Sequence, residues 1–316
     1  AECLLSAAEA APEVTARGLR RRAAEVLLRG GAVARGRELL QQVLRDLGEP
    51  LPTHAAAQRL RLLRQGWRLA RRGLTFTPRA EHELPPQVLL RLDALRTARL
   101  AIANIDPGSG LLYAREHLLQ CLEAGEPSRI ARALANYAAL VSHGAAEQGR
   151  ARAAIAEAKA LIERHGCREV AVYAAFCAGI VEHNAGCFPA ARAALTCSER
   201  QPAGGGAPPR AVGSGLAASW SVWLHSTLAH LGDARALTAA RDGGIAALRS
   251  VGDVEGELRL RANLGALAGL AADDPATVRH DLEVAAQWFP PGSFQIERGH
   301  AFLAARMTDL YQESGD

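Results

Sequence analysis

Nucleotide chemistry would need a lysine in a defined setting: beside Ser or Thr after a glycine-rich turn in a phosphate-binding loop, or on a strand near the nucleotide in a protein kinase. The 316 residues hold one lysine, Lys159, inside the helical stretch Ala156-Glu157-Ala158-Lys159-Ala160. Neither site can be assembled around it. Gly204-Gly205-Gly206 and Gly108-Ser109-Gly110 are glycine-rich, but neither follows a strand-like run, so both read as connections.

Hydrolytic chemistry fares no better. The ten histidines offer general bases, yet no G-x-S-x-G elbow and no H-E-x-x-H pair occurs. His117 beside Glu116 and His183 beside Glu182 read as helix residues, and Gly186 is expected to end the helix between His183 and Cys187. The six cysteines (Cys3, Cys121, Cys167, Cys177, Cys187, Cys197) form no C-x-x-C pair and lie mostly beside Ala and Leu, so they are expected to be reduced, small core residues of a cytoplasmic protein. Four of them recur every ten residues. Ten residues turn an α-helix by about 280°, so these thiols share no face and do not suit zinc. No catalytic residue, cofactor or metal is expected.

Chemistry that does not come from a compact site has to come from surfaces, which depend on the elements presenting them. Hydrophobic residues make up 49% of the chain but aromatics only 4%, so the apolar surface is chiefly Ala and Leu, which favour helix and close helix packing. Apolar residues recur at three- and four-residue spacing in segments bounded by Gly, Pro or Asp. Helices are expected over 13–29, 33–47, 55–73, 86–103, 108–124, 127–142, 147–165, 168–184, 188–199, 210–231, 233–251, 254–271, 275–288 and 294–312. No run of about 20 mostly apolar residues is present to form a membrane span. The chain starts Ala1-Glu2-Cys3, with Glu9 and Glu13 where a signal peptide would be apolar, and reads as an excised segment.

Several neighbouring segments read as helix, tight turn and second helix, as at Leu27-Leu28-Arg29-Gly30-Gly31, Glu182-His183-Asn184-Ala185-Gly186 and Leu231-Gly232-Asp233. The expected fold is all-α, a tetratricopeptide-like α-solenoid of antiparallel helix pairs with a degenerate repeat. Residues 1–200 form one block with a loop near 74–86, in which Pro85 suits a helix start. A Gly/Pro-rich linker spans 201–209, and 210–316 forms a second block continuous with the first.

Net charge is +4, but residues 1–100 hold 18 arginines against 10 acidic residues. This first third could face an acidic partner, and Arg20-Arg21-Arg22 otherwise reads as a solvated face. The absence of interleaved aromatics argues against nucleic acid. A solenoid recognises partners with side chains spread over one face. Polar residues within apolar helices are the candidates for a protein-binding groove: Asn136 in Ala133-Leu134-Ala135-Asn136-Tyr137, and Arg259 with Asn263 in Arg259-Leu260-Arg261-Ala262-Asn263-Leu264.

The stretches Leu84-Pro85-Pro86-Gln87-Val88-Leu89-Leu90-Arg91-Leu92-Asp93, His117-Leu118-Leu119, Leu122-Glu123-Ala124-Gly125-Glu126-Pro127 and Ile130-Ala131-Arg132-Ala133-Leu134-Ala135 carry a resemblance. Leu270-Ala271-Ala272-Asp273-Asp274-Pro275 and the run from Ala304 and Arg306 to Asp309-Leu310-Tyr311 extend it over residues 18 to 312. Together they resemble the helical region that follows the ATPase module of large bacterial, myxobacterial-type serine/threonine protein kinases. The resemblance implies a non-catalytic scaffold or sensor region acting in signal transduction, with its partners being other proteins or the upstream kinase and ATPase domains of the same chain. The second expectation is the helical-repeat region of an ATPase-type transcriptional regulator.

Overall fold

The computed structural model describes residues 1–29, 32–50, 54–103, 107–200, 214–250, 252–263, 266–288 and 295–314. The expected linker 201–209, the Gly204 run and the Gly30-Gly31 turn lie outside them. Among the described residues the chain is all-α, with sixteen α-helices, two short 3-10 turns and no strand. No helix there is long and apolar enough to cross a membrane.

Contacts divide the chain into two compact units, Ala1–Val181 and Glu182–Asp316. The first holds α1 (Glu2–Ala10), α2 (Glu13–Arg29), α3 (Val33–Asp46), α4 (Ala55–Arg72), α5 (Pro86–Ile102), α6 (Pro107–Ala124), α7 (Pro127–Val141), α8 (Gln148–His165) and most of α9 (Arg168–Asn184). Most sequence neighbours pack together here, and so do three non-consecutive pairs, α2 with α5, α3 with α5 and α4 with α6. Alternate helices therefore adjoin as well as consecutive ones.

Local chemistry sets the helix ends. Glu126 accepts from the backbone N–H groups of Ser128 (3.0 Å) and Arg129 (2.7 Å) while Pro127 occupies the first turn, so α7 starts at a side-chain cap with a residue that needs no N–H partner. Just before it, Gly125 has φ +87°, and a Cβ there would run into the carbonyl oxygen of Thr77. The loop after α4 is thereby pinned to the α6–α7 turn, and the Arg79 N–H donates to the Gly125 carbonyl at 2.9 Å. The expected loop near 74–86 is thus an ordered strap carrying a 3-10 turn at Glu81–Glu83. Eight of the fifteen residues of helix α7 are Ala, Leu or Ile, and ten of the fifteen are buried. Its alanines let α6 and α8 approach closely, and each fully buried Leu or Ile contributes about 1.5 to 3 kcal/mol.

The second unit holds α10 (Phe188–Arg200), α11 (Ser214–His230), α12 (Ala234–Ser250), α13 (Val254–Ala262), α14 (Leu267–Ala271), α15 (Pro275–Trp288) and α16 (Gln295–Glu313). Ile245, Leu248 and Leu260 form one apolar cluster, and Ala266, Val278, Leu282 and Ala304 another. Buried Asp281 joins α15 to α12 and α13 by accepting from both Arg241 and Arg261. Asp233, Asp253 and Asp274 each cap the following helix by accepting from a backbone N–H three residues on.

Two expectations need correction. The helix expected over 254–271 stops at Ala262 because Asn263 is extended, φ −90° and ψ −178°, and its side-chain amide donates to the Val222 carbonyl of α11 at 3.4 Å. Residues 2–10, which precede the first expected helix, form α1, which packs on α2 and receives Arg35 of α3 on Glu2 at 2.7 Å.

Candidate functional site: an arginine cluster on alternate helices

Side-chain contacts tie α2, α5, α7 and α9 into one row within the first unit. Arg21 of α2 donates to Thr97 of α5 at 2.7 Å, and Arg129 of α7 donates to Asp93 of α5 at 2.8 Å. Arg99 of α5 donates to the Tyr173 hydroxyl of α9 at 3.3 Å, and that hydroxyl donates in turn to the Asn136 side chain of α7. Positions 93, 96 and 99 on α5, and 129, 132 and 136 on α7, are three or four residues apart, so each set lies on one helix face.

This row carries five guanidinium groups, and their counter-ions are unevenly shared. Arg129 takes both Asp93 and Glu81, and Arg21 pairs with Glu25. Glu169 accepts from Ser128. Among the described residues no ion pair reaches Arg96, Arg99 or Arg132. Arg99 is only 8% exposed, and Arg96 and Arg132 are half-buried. Buried side-chain nitrogens with no acceptor concentrate here: the Nε atoms of Arg21, Arg96, Arg99 and Arg129, and Nδ2 of Asn136.

The electrostatics follow from that imbalance. Burial, and next the neighbouring Arg96, hold the Arg132 guanidinium below its ordinary value. Burial likewise lowers Arg21. Burial also opposes the charge on Arg129, but Asp93 raises it on balance. His117 of α6, 3% exposed, is pushed down to about 3 by burial and then by Arg96, Arg99 and Arg129. It stays a neutral imidazole beneath a positive surface.

The structure buries all three sequence-predicted groove residues, Asn136 and Arg259 within helices and Asn263 just past the end of α13. Asn136 is 1% exposed and sits at the base of the arginine cluster, bonded to Tyr173. Arg259 and Asn263 are buried in the second unit, where Asn263 holds α13 to α11. Arg21, read from sequence as part of a solvated run, instead reaches across to α5. The rest of the cluster was missed: Arg96-Thr97-Ala98-Arg99 and Arg129-Ile130-Ala131-Arg132 repeat one Arg-x-Ala-Arg pattern on two helices, but the pattern alone does not tell such arginines from solvated ones.

Other polar groupings look inward. Between α4 and α6, Glu116 accepts from Gln65 at 2.7 Å, Glu49 accepts from Arg61 at 2.8 Å, and Gln120 donates to both carboxylates. Burial and the Glu116 charge raise the Glu49 carboxyl. These donors occupy the carboxylates and hold α4 on α6. A cavity of about 370 Å³ is lined by Arg79, Glu126, Ser128, His165, Cys167 and Glu169. Burial pushes the Cys167 thiol up, opposite to what activates a nucleophile. Cys177 is pushed up to about 12 by burial. Cys3 and Cys187 are exposed, unlike the buried cysteines expected. In the second unit His183 lies edge-on to Phe188, Trp223 and His230, with Nδ1 2.9 Å from the Thr227 hydroxyl. The described residues bring together no three His, Cys, Asp or Glu side chains that could hold a metal.

Compared with family models, curated proteins and solved structures, the chain finds no match.

Proposed function

We propose that the chain is a non-catalytic helical-repeat scaffold, built as a tetratricopeptide-like solenoid of antiparallel pairs, that recognises a protein partner on the face formed by α2, α5, α7 and α9. One observation carries this reading: Arg96, Arg99 and Arg132 share that face with no carboxylate partner of their own among the described residues. Like charges held close together destabilise a fold, so a cluster of this kind is retained for what it meets outside. The contact of α4 with α6 and the side-chain bonds of α7 to α5 and to α9 suit two rows of alternate helices, the arrangement a solenoid uses to present an extended surface.

The sequence resemblance supplies the setting: the C-terminal part of a bacterial serine/threonine protein kinase that carries an ATPase module, acting in signal transduction. The partner is then a separate protein or the kinase and ATPase modules themselves. Photocrosslinking tests the face. A photoreactive amino acid replacing exposed Leu100, one turn from Arg96, should crosslink one defined protein segment in cells, while the same probe at exposed Glu163 of α8 should not. Equal crosslinking at both positions, or at neither, would remove the proposal.

A further inference from the structure

Resting on that reading, we propose that Arg96, Arg99 and Arg132, with the Asn136 amide at their base, form a binding site for the side-chain carboxylates of an acidic peptide segment in the partner.

The donor inventory selects an anion. Arginine presents only donors, and its planar fork matches a carboxylate through two parallel N–H···O bonds. Arg99 spends one NH group on the Tyr173 hydroxyl, and its Nε remains without an acceptor. The Asn136 oxygen is occupied by Tyr173, so its Nδ2, in an amide 1% exposed, is the donor left over. Arg96 and Arg132 stand on neighbouring helices, and each is half-buried, so an anion between them meets two guanidiniums that water screens only in part. Burial, and next the Arg96 charge, lower Arg132. A bound carboxylate offsets the like-charge part of that cost, which an exposed, already paired arginine does not carry.

The surroundings favour a discrete carboxylate over a continuous polyanion. Asp93, Glu81 and Glu169 border the cluster, and an evenly charged phosphate backbone crossing the face would run against them. A peptide can place Glu or Asp at the cations and neutral or basic residues elsewhere. Tyr173, the aromatic ring bonded to this cluster, has its hydroxyl engaged and its ring against Phe176, which makes it a poor stacking platform for bases.

The test uses the full chain and a short fluorescein-labelled oligo-glutamate peptide, with oligo-glutamine as the blank, followed by fluorescence anisotropy at about 0.15 M salt. Saturable binding of oligo-glutamate is expected, weakened at least about tenfold by the pair Arg96→Gln with Arg132→Gln. The pair Arg96→Lys with Arg132→Lys keeps the charge and loses the fork, and an intermediate loss is expected. The control pair Arg59→Gln with Arg64→Gln, on the exposed side of α4, should change binding less than about twofold. An equal loss in the control, no saturable binding, or tighter binding of an oligouridylate of the same length would overturn the proposal. If oligo-glutamate fails while the Leu100 probe still maps a non-acidic partner segment, the carboxylate site is wrong and the interaction face stands. If both fail, both fall.

Discussion

The Tyr173 hydroxyl of α9 donates to the side-chain oxygen of Asn136 on α7, and the same hydroxyl accepts from Arg99 of α5. One phenol therefore links three alternate helices beneath the arginine cluster. Burial raises its pKa, so it remains a protonated donor at any ordinary pH. Replacing Tyr173 with Phe removes the donor and leaves the Asn136 oxygen buried without a partner. A double-mutant cycle on Tyr173→Phe and Asn136→Ala should give a coupling of about 1 kcal/mol in urea unfolding. Additive effects would show that the contact does not hold the row.

His117 gives a pH signature of known sign. Its folded pKa of about 3 lies below the ordinary 6.5, so between those values the unfolded chain binds more protons and acidification favours unfolding. Its contribution is intact above about pH 6.5 and erodes as pH falls toward 3, by up to about 5 kcal/mol. The groups facing it are Arg96, Arg99, Arg129 and Asp93. A His117→Leu variant should therefore lose less stability than the parent between pH 6.5 and 4.5. Parallel stability curves would contradict this.

Two glycines separate backbone need from chance. Gly125→Ala should destabilise the chain by about 1 to 3 kcal/mol, because φ is +87° and Thr77 O blocks a Cβ. Gly149 of α8 meets nothing within 4 Å, so Gly149→Ala should stabilise by about 0.5 to 1 kcal/mol. Thermal melting of both variants checks the contrast.

In the second unit, Asp281→Asn takes one buried anion from two guanidiniums. Since Arg241 and Arg261 keep some exposure, a loss of roughly 2 to 3 kcal/mol is expected. Hydrogen exchange on α12, α13 and α15 should accelerate together. Acceleration in α15 alone would mean that Asp281 does not join them.

Much of the helix layout was legible from the sequence because Ala/Leu periodicity and Gly or Pro boundaries are local signals. Helix α7 follows directly from Glu126-Pro127 and the alanine run after it. The break at Asn263 escaped because its cause is long-range, an amide anchored to a carbonyl 41 residues earlier in sequence. Helix α1 escaped because nine residues without a side-chain cap carry little local signal and gain their stability from packing on α2. For the candidate site, Asn136 was legible as a polar residue in an apolar helix, whereas Arg96 and Arg132 resembled any solvated arginine. Their meaning depends on which helices adjoin and where the carboxylates go, and spacing along one helix does not encode either.

Arg96 and Arg132 are kept for a partner and not for the fold, which the stability of the ligand-free Arg96→Gln, Arg132→Gln chain measures directly. Removing two mutually repelling guanidiniums should leave the thermal midpoint unchanged or raise it. A fall corresponding to more than about 1 kcal/mol would show that these arginines hold the helices together, and the interaction face would lose its basis.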